Sequence, residues 1–278
     1  MTSRSNWPRG ESFHIQTASG PLNCRIDGRA GAPSILFSNS HATDMSLWTH
    51  QVATLADGFN VIRYDQRGHG ATPVSNGRIT FDSLADDIIT VLDALDVETA
   101  TLVGVSMGAV TVLRCAARHP RRIARVLASD GQWAAPSGAH QMWEERIGVA
   151  LGQGMQALIE PTIQRWFTPA SLNSDAEPVL HARRMIGATS KEGYANCARA
   201  MQDYDFRSDF AQLRMPVQYV VGEQDGKLPV VMQEMSDATP YGRFTTIANA
   251  GHLPCLERAH EFNALLSSFI TTKAKEFL

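Results

Sequence analysis

Over the first half of the chain, short runs of apolar and β-branched residues alternate with longer stretches in which apolar positions recur three and four residues apart. That alternation predicts βαβ units stacked into a mostly parallel sheet. Residues 12–17 and 21–27 predict an antiparallel hairpin around Gly20-Pro21, and Ser34 to Phe37 is a continuous apolar run suited to a buried strand, followed by another at Asn60 to Tyr64. From Phe81 to Leu95, residues Leu84, Ile88, Val91, Leu92 and Leu95 share one helical face, with Asp82, Asp86, Asp87 and Asp93 mostly outside it. A strand at Ala100 to Val105, a helix at Met107 to Arg118 stopped by His119-Pro120, and a strand at Arg125 to Ser129 complete this half.

The texture then changes. From Gln132 to Arg207 there is little strand signal, and helical spacing is found at His140–Leu151, Met155–Phe167, Ala176–Gly187 and Lys191–Asp203. Strand character returns at Val217 to Val221 and Arg243 to Ile247, and a last helix is expected from Arg258 to Ala274. The reading is one α/β core formed by residues 1–131 and 208–278, with residues 132–207 inserted as a helical cap. No internal repeat or low-complexity segment argues for a solenoid or a tail-driven interaction protein.

Composition narrows the class. The 278 residues contain 25 Lys and Arg against 28 Asp and Glu, a balance that offers no basic surface for a phosphate backbone, so nucleic-acid binding is disfavoured. No apolar stretch approaches the roughly 18 residues needed to span a bilayer, and the first residues lack the apolar core of a secretory signal, so a cytoplasmic protein without a membrane partner is expected. Cys24, Cys115, Cys197 and Cys255 lie far apart, without a C-x-x-C pair, and are read as reduced thiols; no metal site and no cofactor is expected. The sequence allows an oligomer.

The chemistry begins at Gly104-Val105-Ser106-Met107-Gly108, a G-x-S-x-G pattern placed where a strand ends and a helix begins. A sharp turn there presents a serine above the sheet, and the helix N-terminus behind it favours an oxyanion at the attacked carbonyl. Because a serine hydroxyl is a weak nucleophile at neutral pH, a histidine base and an acid must follow. His252, in Ala250-Gly251-His252-Leu253-Pro254 between the last strand and the last helix, is the candidate base. Asp225, after the strand that follows the cap, is the candidate acid; taken alone it reads as a turn residue before Gly226. Asp130, at the end of the strand Arg125 to Ser129, is the rival acid.

Tyr64-Asp65-Gln66-Arg67-Gly68-His69-Gly70, the serine turn, Gly222-Glu223-Gln224-Asp225 and Gly251-His252 together resemble the α/β-hydrolase superfamily over nearly the whole chain. The resemblance implies an α/β-hydrolase fold, a triad in the order Ser106, Asp225, His252, and a scaffold role for His69. Ser38-Asn39-Ser40-His41-Ala42-Thr43-Asp44 with Trp48, and in the cap Arg165-Trp166-Phe167-Thr168-Pro169 and Gly193-Tyr194-Ala195-Asn196-Cys197, are similar to the 3-oxoadipate enol-lactonases. That resemblance implies opening of a small enol-lactone to a linear oxo-dicarboxylate, the backbone N–H groups of His41 and Met107 holding the oxyanion. His41-Ala42 departs from the Leu-Gly usual in the family, and the Asp130-Gly131-Gln132-Trp133 stretch departs from the usual cap start, which bears on substrate choice.

Trp133 and Trp166 are candidate substrate-binding residues, while Trp143 reads equally as packing between cap and core. His41 is either a donor to a substrate carboxylate or a packing residue at the pocket rim. Arg146 and Arg165 are candidate anchors, set against the plainer reading of solvated helix faces. Fold and triad leave other ester, amide and carbon–carbon bond hydrolases as alternatives, and, in a different class, a receptor that keeps the fold and binds without turnover.

Overall fold

The computed structural model describes residues 7–75, 77–174, 176–273 and 276. The apolar runs form one sheet with strands β1 (Ser12–Thr17), β2 (Gly20–Gly28), β3 (Ser34–Ser38), β4 (Asn60–Tyr64), β5 (Ala100–Val105), β6 (Ile123–Ser129), β7 (Val217–Gly222) and β8 (Gly242–Ile247). Across the sheet the order is β1-β2-β4-β3-β5-β6-β7-β8. β2 pairs antiparallel with β1 and β4, and every other pairing is parallel. Parallel neighbours require crossovers, and these are supplied by α1 (Thr49–Leu55), α2 (Phe81–Ala94), α3 (Met107–Arg118), the cap helices α4 (Ala139–Gln153), α5 (Gln156–Trp166), α6 (Pro169–Asn173), α7 (Glu177–Ala188) and α8 (Lys191–Ala200), then α9 (Arg207–Phe210) and α10 (Leu228–Ala238); α11 (Pro254–Glu257) and α12 (Ala259–Thr271) follow the last strand.

The strands are apolar on both faces because both faces are covered. Leu36, Leu102 and Val217 belong to a cluster with Val112 of α3 and Met232 of α10, whereas their neighbours Phe37 and Val103 belong to another with Phe262 and Leu266 of α12 and with the cap. The cap joins the core through a short neck: Ala134 bridges Asp205, Ala135 N–H donates to the Tyr204 carbonyl at 2.8 Å, and Phe206 N–H to the Trp133 carbonyl at 2.8 Å. Residues 133–135 and 204–206 thus run side by side as the chain leaves the core and returns. Among the described residues no helix is long and apolar enough to cross a membrane. All four cysteines are buried free thiols.

Several sequence expectations are corrected. The first hairpin turns at residues 18–19 rather than at Gly20-Pro21, since Gly20 already pairs with Thr17, a two-residue connection. Asp87 is buried, not outside, because Arg67 reaches into the core and takes it as a partner. The last cap helix, α8, stops at Ala200 instead of Asp203. The last helix starts as expected, α12 running from Ala259, but closes at Thr271, Ala274 lying outside the described residues, and the short α11 just before it was not expected. Helices α1 and α10 were not expected: α1 is short and polar, and α10 begins Leu-Pro-Val-Val, a run that local pattern does not separate from a strand.

Candidate active site

Ser106 sits between β5 and α3 with φ 57° and ψ −119°, a conformation that L-residues rarely adopt. Tight packing around the turn explains why glycines flank it. A Cβ on Gly104 would lie 2.2 Å from the Gly108 carbonyl oxygen, and one on Gly108 would lie 2.1 Å from that of Ser38. The serine is half-buried, and its N–H is held by the Ser129 carbonyl at 2.8 Å.

The loops after β7 and β8 come together by the same device, a Cβ on Gly222 falling 1.9 Å from the Gly251 carbonyl oxygen. Glu223 N–H donates to Ile247 and Gln224 N–H to Ala250, at 3.0 and 2.9 Å, so the two loops are zipped. The result is a continuous line: His252 Nε2 lies 2.8 Å from Ser106 Oγ, and His252 Nδ1 lies 2.7 Å from Asp225 Oδ2. Burial alone would raise the Asp225 carboxyl, but the His252 ring, hydrogen bonds from His252 and Asp130, and the charge of Arg165 carry it below the usual carboxylate range. The rival, Asp130, does not meet the histidine; its carboxyl engages the Gly222 N–H at 2.9 Å and Ser129 Oγ at 2.5 Å.

Facing the serine is the turn Ser38 to Ala42, and the strand-end turn after β4 grips it. Gln66 Nε2 donates to Ser38 Oγ and to the Asn39 carbonyl, both at 2.9 Å, while Asn39 donates to the Tyr64 carbonyl and accepts from the Trp48 indole. His69 Nε2 accepts from Ala42 N–H at 3.0 Å and its Nδ1 lies 3.0 Å from the Arg67 carbonyl, a pattern that requires the neutral ring protonated on Nδ1. Burial accordingly lowers the His69 ring to about 4. The backbone N–H groups of His41 and Met107 make no hydrogen bond among the described residues, which leaves both able to hold an anion beside Ser106.

The cap closes over this floor. The His41 side chain is buried and its Nε2 lies 2.9 Å from the Tyr194 carbonyl of α8; its ring packs tilted against Tyr194 and meets Trp143 edge-on. Burial, and then the neighbouring His69, keep it far below the ordinary histidine range, so it is a neutral tie between core and cap. Trp166 stacks 6.1 Å from His252 and its carbonyl accepts the His252 N–H at 2.8 Å, so it props the base; its own indole N–H is buried without a partner. Trp133, expected near substrate, is placed instead in the neck, half-buried with the α3 and Phe210 cluster, because its carbonyl is tied to Phe206. Arg146 bonds Tyr194 Oη at 3.0 Å and Thr162 at 2.7 Å. Arg165 is exposed to solvent on α5; desolvation by the protein beside it, and then Arg146, lower it to about 10. It makes no ion pair among the described residues, and its charge reaches Asp225 and His41.

Sequence reasoning missed Glu257 of α11, whose carboxylate accepts from Thr168 N–H at 2.9 Å, Thr168 Oγ1 at 2.7 Å and Gly251 N–H at 2.7 Å, pinning the cap to the His252 loop. A lone glutamate on a short helix carries no pattern that would have marked it. A groove of about 740 Å³ between the first hairpin, α1 and the end of α7 is lined by none of Ser106, Asp225 and His252, and its Arg25, Asp27 and Arg63 pair with one another.

A family model described as alpha/beta hydrolase fold matches residues 33–259. The chain is 32% identical over 242 residues to 3-oxoadipate enol-lactonase 2 of Acinetobacter baylyi, covering 87% of this chain and 90% of the relative. The crystal structure of the enol-lactonase from Burkholderia xenovorans LB400 superimposes with a TM-score of 0.86 at 33% identity, over 91% of this chain and 97% of that one. A thermophilic esterase from Thermogutta terrifontis, solved with malate bound, gives a TM-score of 0.86 at 25% identity over 94% of this chain and 98% of that one.

Proposed function

Because the chain belongs to the α/β-hydrolase family and is a hydrolase acting on ester or lactone bonds, we propose that it opens a small anionic enol-lactone of the 3-oxoadipate enol-lactone type, through an acyl-enzyme on Ser106. The observation that carries this reading is the hydrogen-bonded line from Ser106 through His252 to Asp225, beside two unpaired backbone N–H groups. Ser106 Oγ attacks the lactone carbonyl as its proton passes to His252 Nε2, and Asp225 stabilises the imidazolium that forms. The N–H groups of His41 and Met107 hold the oxyanion. Collapse expels the enol oxygen, which takes the proton from His252; a water activated by the same ring then releases the acid and restores the serine.

The anionic half of the reading comes from the cap. Opening a lactone to a dicarboxylate creates one carboxylate, so the substrate already carries the other. Arg165, which makes no ion pair among the described residues and is backed by Arg146, is a cation whose charge reaches Asp225 and His41, suited to hold that group while the carbonyl lies over Ser106. The names of the relatives support the lactone, and the esterase among the structural neighbours keeps carboxylic ester hydrolysis as the second reading.

Turnover of 3-oxoadipate enol-lactone generated in situ, beside a short-chain aryl ester, tests both. Wild-type protein is expected to open the lactone fast and cleave the ester slowly, and Ser106→Ala to lower both by about 10⁴ to 10⁶. Ester cleavage that depends on Ser106, without lactone opening, would transfer the proposal to the second reading; a Ser106→Ala variant with wild-type turnover would end it.

A further inference from the structure

Close to both Asp225 and His252 stands a second carboxyl that the mechanism above does not use. Asp130 is 1% exposed and follows β6 with φ 50°, a left-handed conformation that turns its side chain toward the β7 loop. One carboxyl oxygen accepts the Gly222 N–H at 2.9 Å, and the other lies 2.5 Å from Ser129 Oγ. Asp130 and Asp225 are within hydrogen-bonding range, and ligand-type atoms of Asp130, Asp225 and His252 all lie within 4.8 Å of one another. Two carboxyls this close inside a protein strongly disfavour double ionisation, so one proton shared by the pair is the favoured state. Its location follows from their partners: Asp225 faces His252 and the Arg165 cation, whereas Asp130 is enclosed and sees only neutral donors and the Asp225 charge.

We propose that Asp130 is a positioning residue, a neutral carboxylic acid that donates a hydrogen bond to Asp225 and so fixes the carboxylate that orients His252. This rests on the serine-hydrolase reading above and extends it with a fourth member acting through the third. Burial first, and then the Asp225 charge, push the Asp130 carboxyl well above its ordinary range, as a donor working at neutral pH requires. The titratable groups facing it are Asp225 and His252 from the β7 and β8 loops and the Cys255 thiol of α11, with Arg165 of α5 beyond Asp225. Loss of the Asp130 proton at high pH would set two anions against each other, break the donation and release Asp225 from its place. The acid therefore imposes an alkaline limit on turnover.

The test is the pH profile of kcat and KM on an aryl ester for wild type, Asp130→Ala, Asp130→Asn and, as the control for the underlying reading, Ser106→Ala. Asp130→Ala removes the donor and is expected to lower kcat about 10- to 100-fold, the scale of a hydrogen bond to a charged group, with KM little changed. Asn offers an N–H to Asp225 and a carbonyl to Gly222, so Asp130→Asn is expected to restore most of the lost kcat. Having no proton to lose, it is also expected to carry the alkaline limb at least one pH unit higher than wild type. Restoration without movement of the alkaline limb, or equal loss in the Asn and Ala variants with both melting as wild type does, overturns the proposal. If Ser106→Ala turns over as fast as wild type, the serine reading fails and this proposal with it; if Ser106→Ala is inactive while Asp130→Ala matches wild type, only the Asp130 role fails.

Discussion

His69 shows how much one tautomer can hold. The ring accepts from Ala42 N–H with Nε2 and donates to the Arg67 carbonyl with Nδ1, so only the neutral form fits. Its proton affinity is lowered from 6.5 in the unfolded chain to about 4 by burial. The unfolded chain therefore binds the extra proton first, and the stability tied to a neutral His69 is full above pH 6.5 and is lost as pH falls toward 4. Over that window the loss amounts to at most about 3 kcal/mol. Urea unfolding at pH 7, 6, 5 and 4 should show wild type losing stability steadily, and His69→Gln, which cannot take the proton, losing less over the same range; parallel curves would exclude the assignment. A scaffold role was legible from the motif Arg67-Gly68-His69-Gly70, but its target was not. The ring meets Ala42 only because β3 and β4 lie side by side with their ends level, a fact of register rather than of local pattern.

At the scale of elements, legibility depended on whether a residue's role is local. Ser106, Asp225 and His252 each follow a strand, so strand-then-loop patterning placed them at one edge of the sheet. Asp87 had the opposite fate: helical spacing assigns a charged position to solvent, and only the approach of the Arg67 turn reverses that. The pair is a costly tie between α2 and the turn that supports the site. Burial raises Asp87 to about 6 even though Arg67 opposes it, so ionising the carboxyl is expensive and the contact offsets that only in part. Asp87→Ala, which leaves a buried guanidinium unpaired, is expected to cost about 3–5 kcal/mol, whereas Arg67→Met with Asp87→Leu should cost much less than the sum of the single changes. A double-mutant cycle by chemical denaturation measures the difference, and additive losses would refute the coupling. Glu257 was illegible for the same reason, since what it holds lies on other elements; Asp130 was legible as a strand-end acid beside the site, but its contact with Gly222 across the sheet was not.

Across the whole molecule, the cap is seated without room to spare. A Cβ on Gly193 of α8 would lie 2.1 Å from the Gly68 carbonyl oxygen, and His181 Nε2 of α7 meets Ser46 Oγ of the core at 2.7 Å. The cap wall carrying Arg146 and Arg165 is thereby held at a set distance from the serine. The chain has a formal charge of −3, so a general attraction for anions is not available, and the anionic substrate proposed above would be selected locally by the cationic pair. Arg165→Gln is expected to lower kcat/KM for the anionic lactone about 10- to 100-fold, the scale of a charge-assisted hydrogen bond, and to change that for a neutral aryl ester far less. Salt supplies an independent check, because it screens charge without altering shape. Between low and about 0.5 M salt, wild-type kcat/KM should fall for the lactone and hold for the ester, and in Arg165→Gln the lactone's salt dependence should flatten. If the substitution affects both substrates equally, Arg165 supports the architecture of the cap and the carboxylate is held elsewhere.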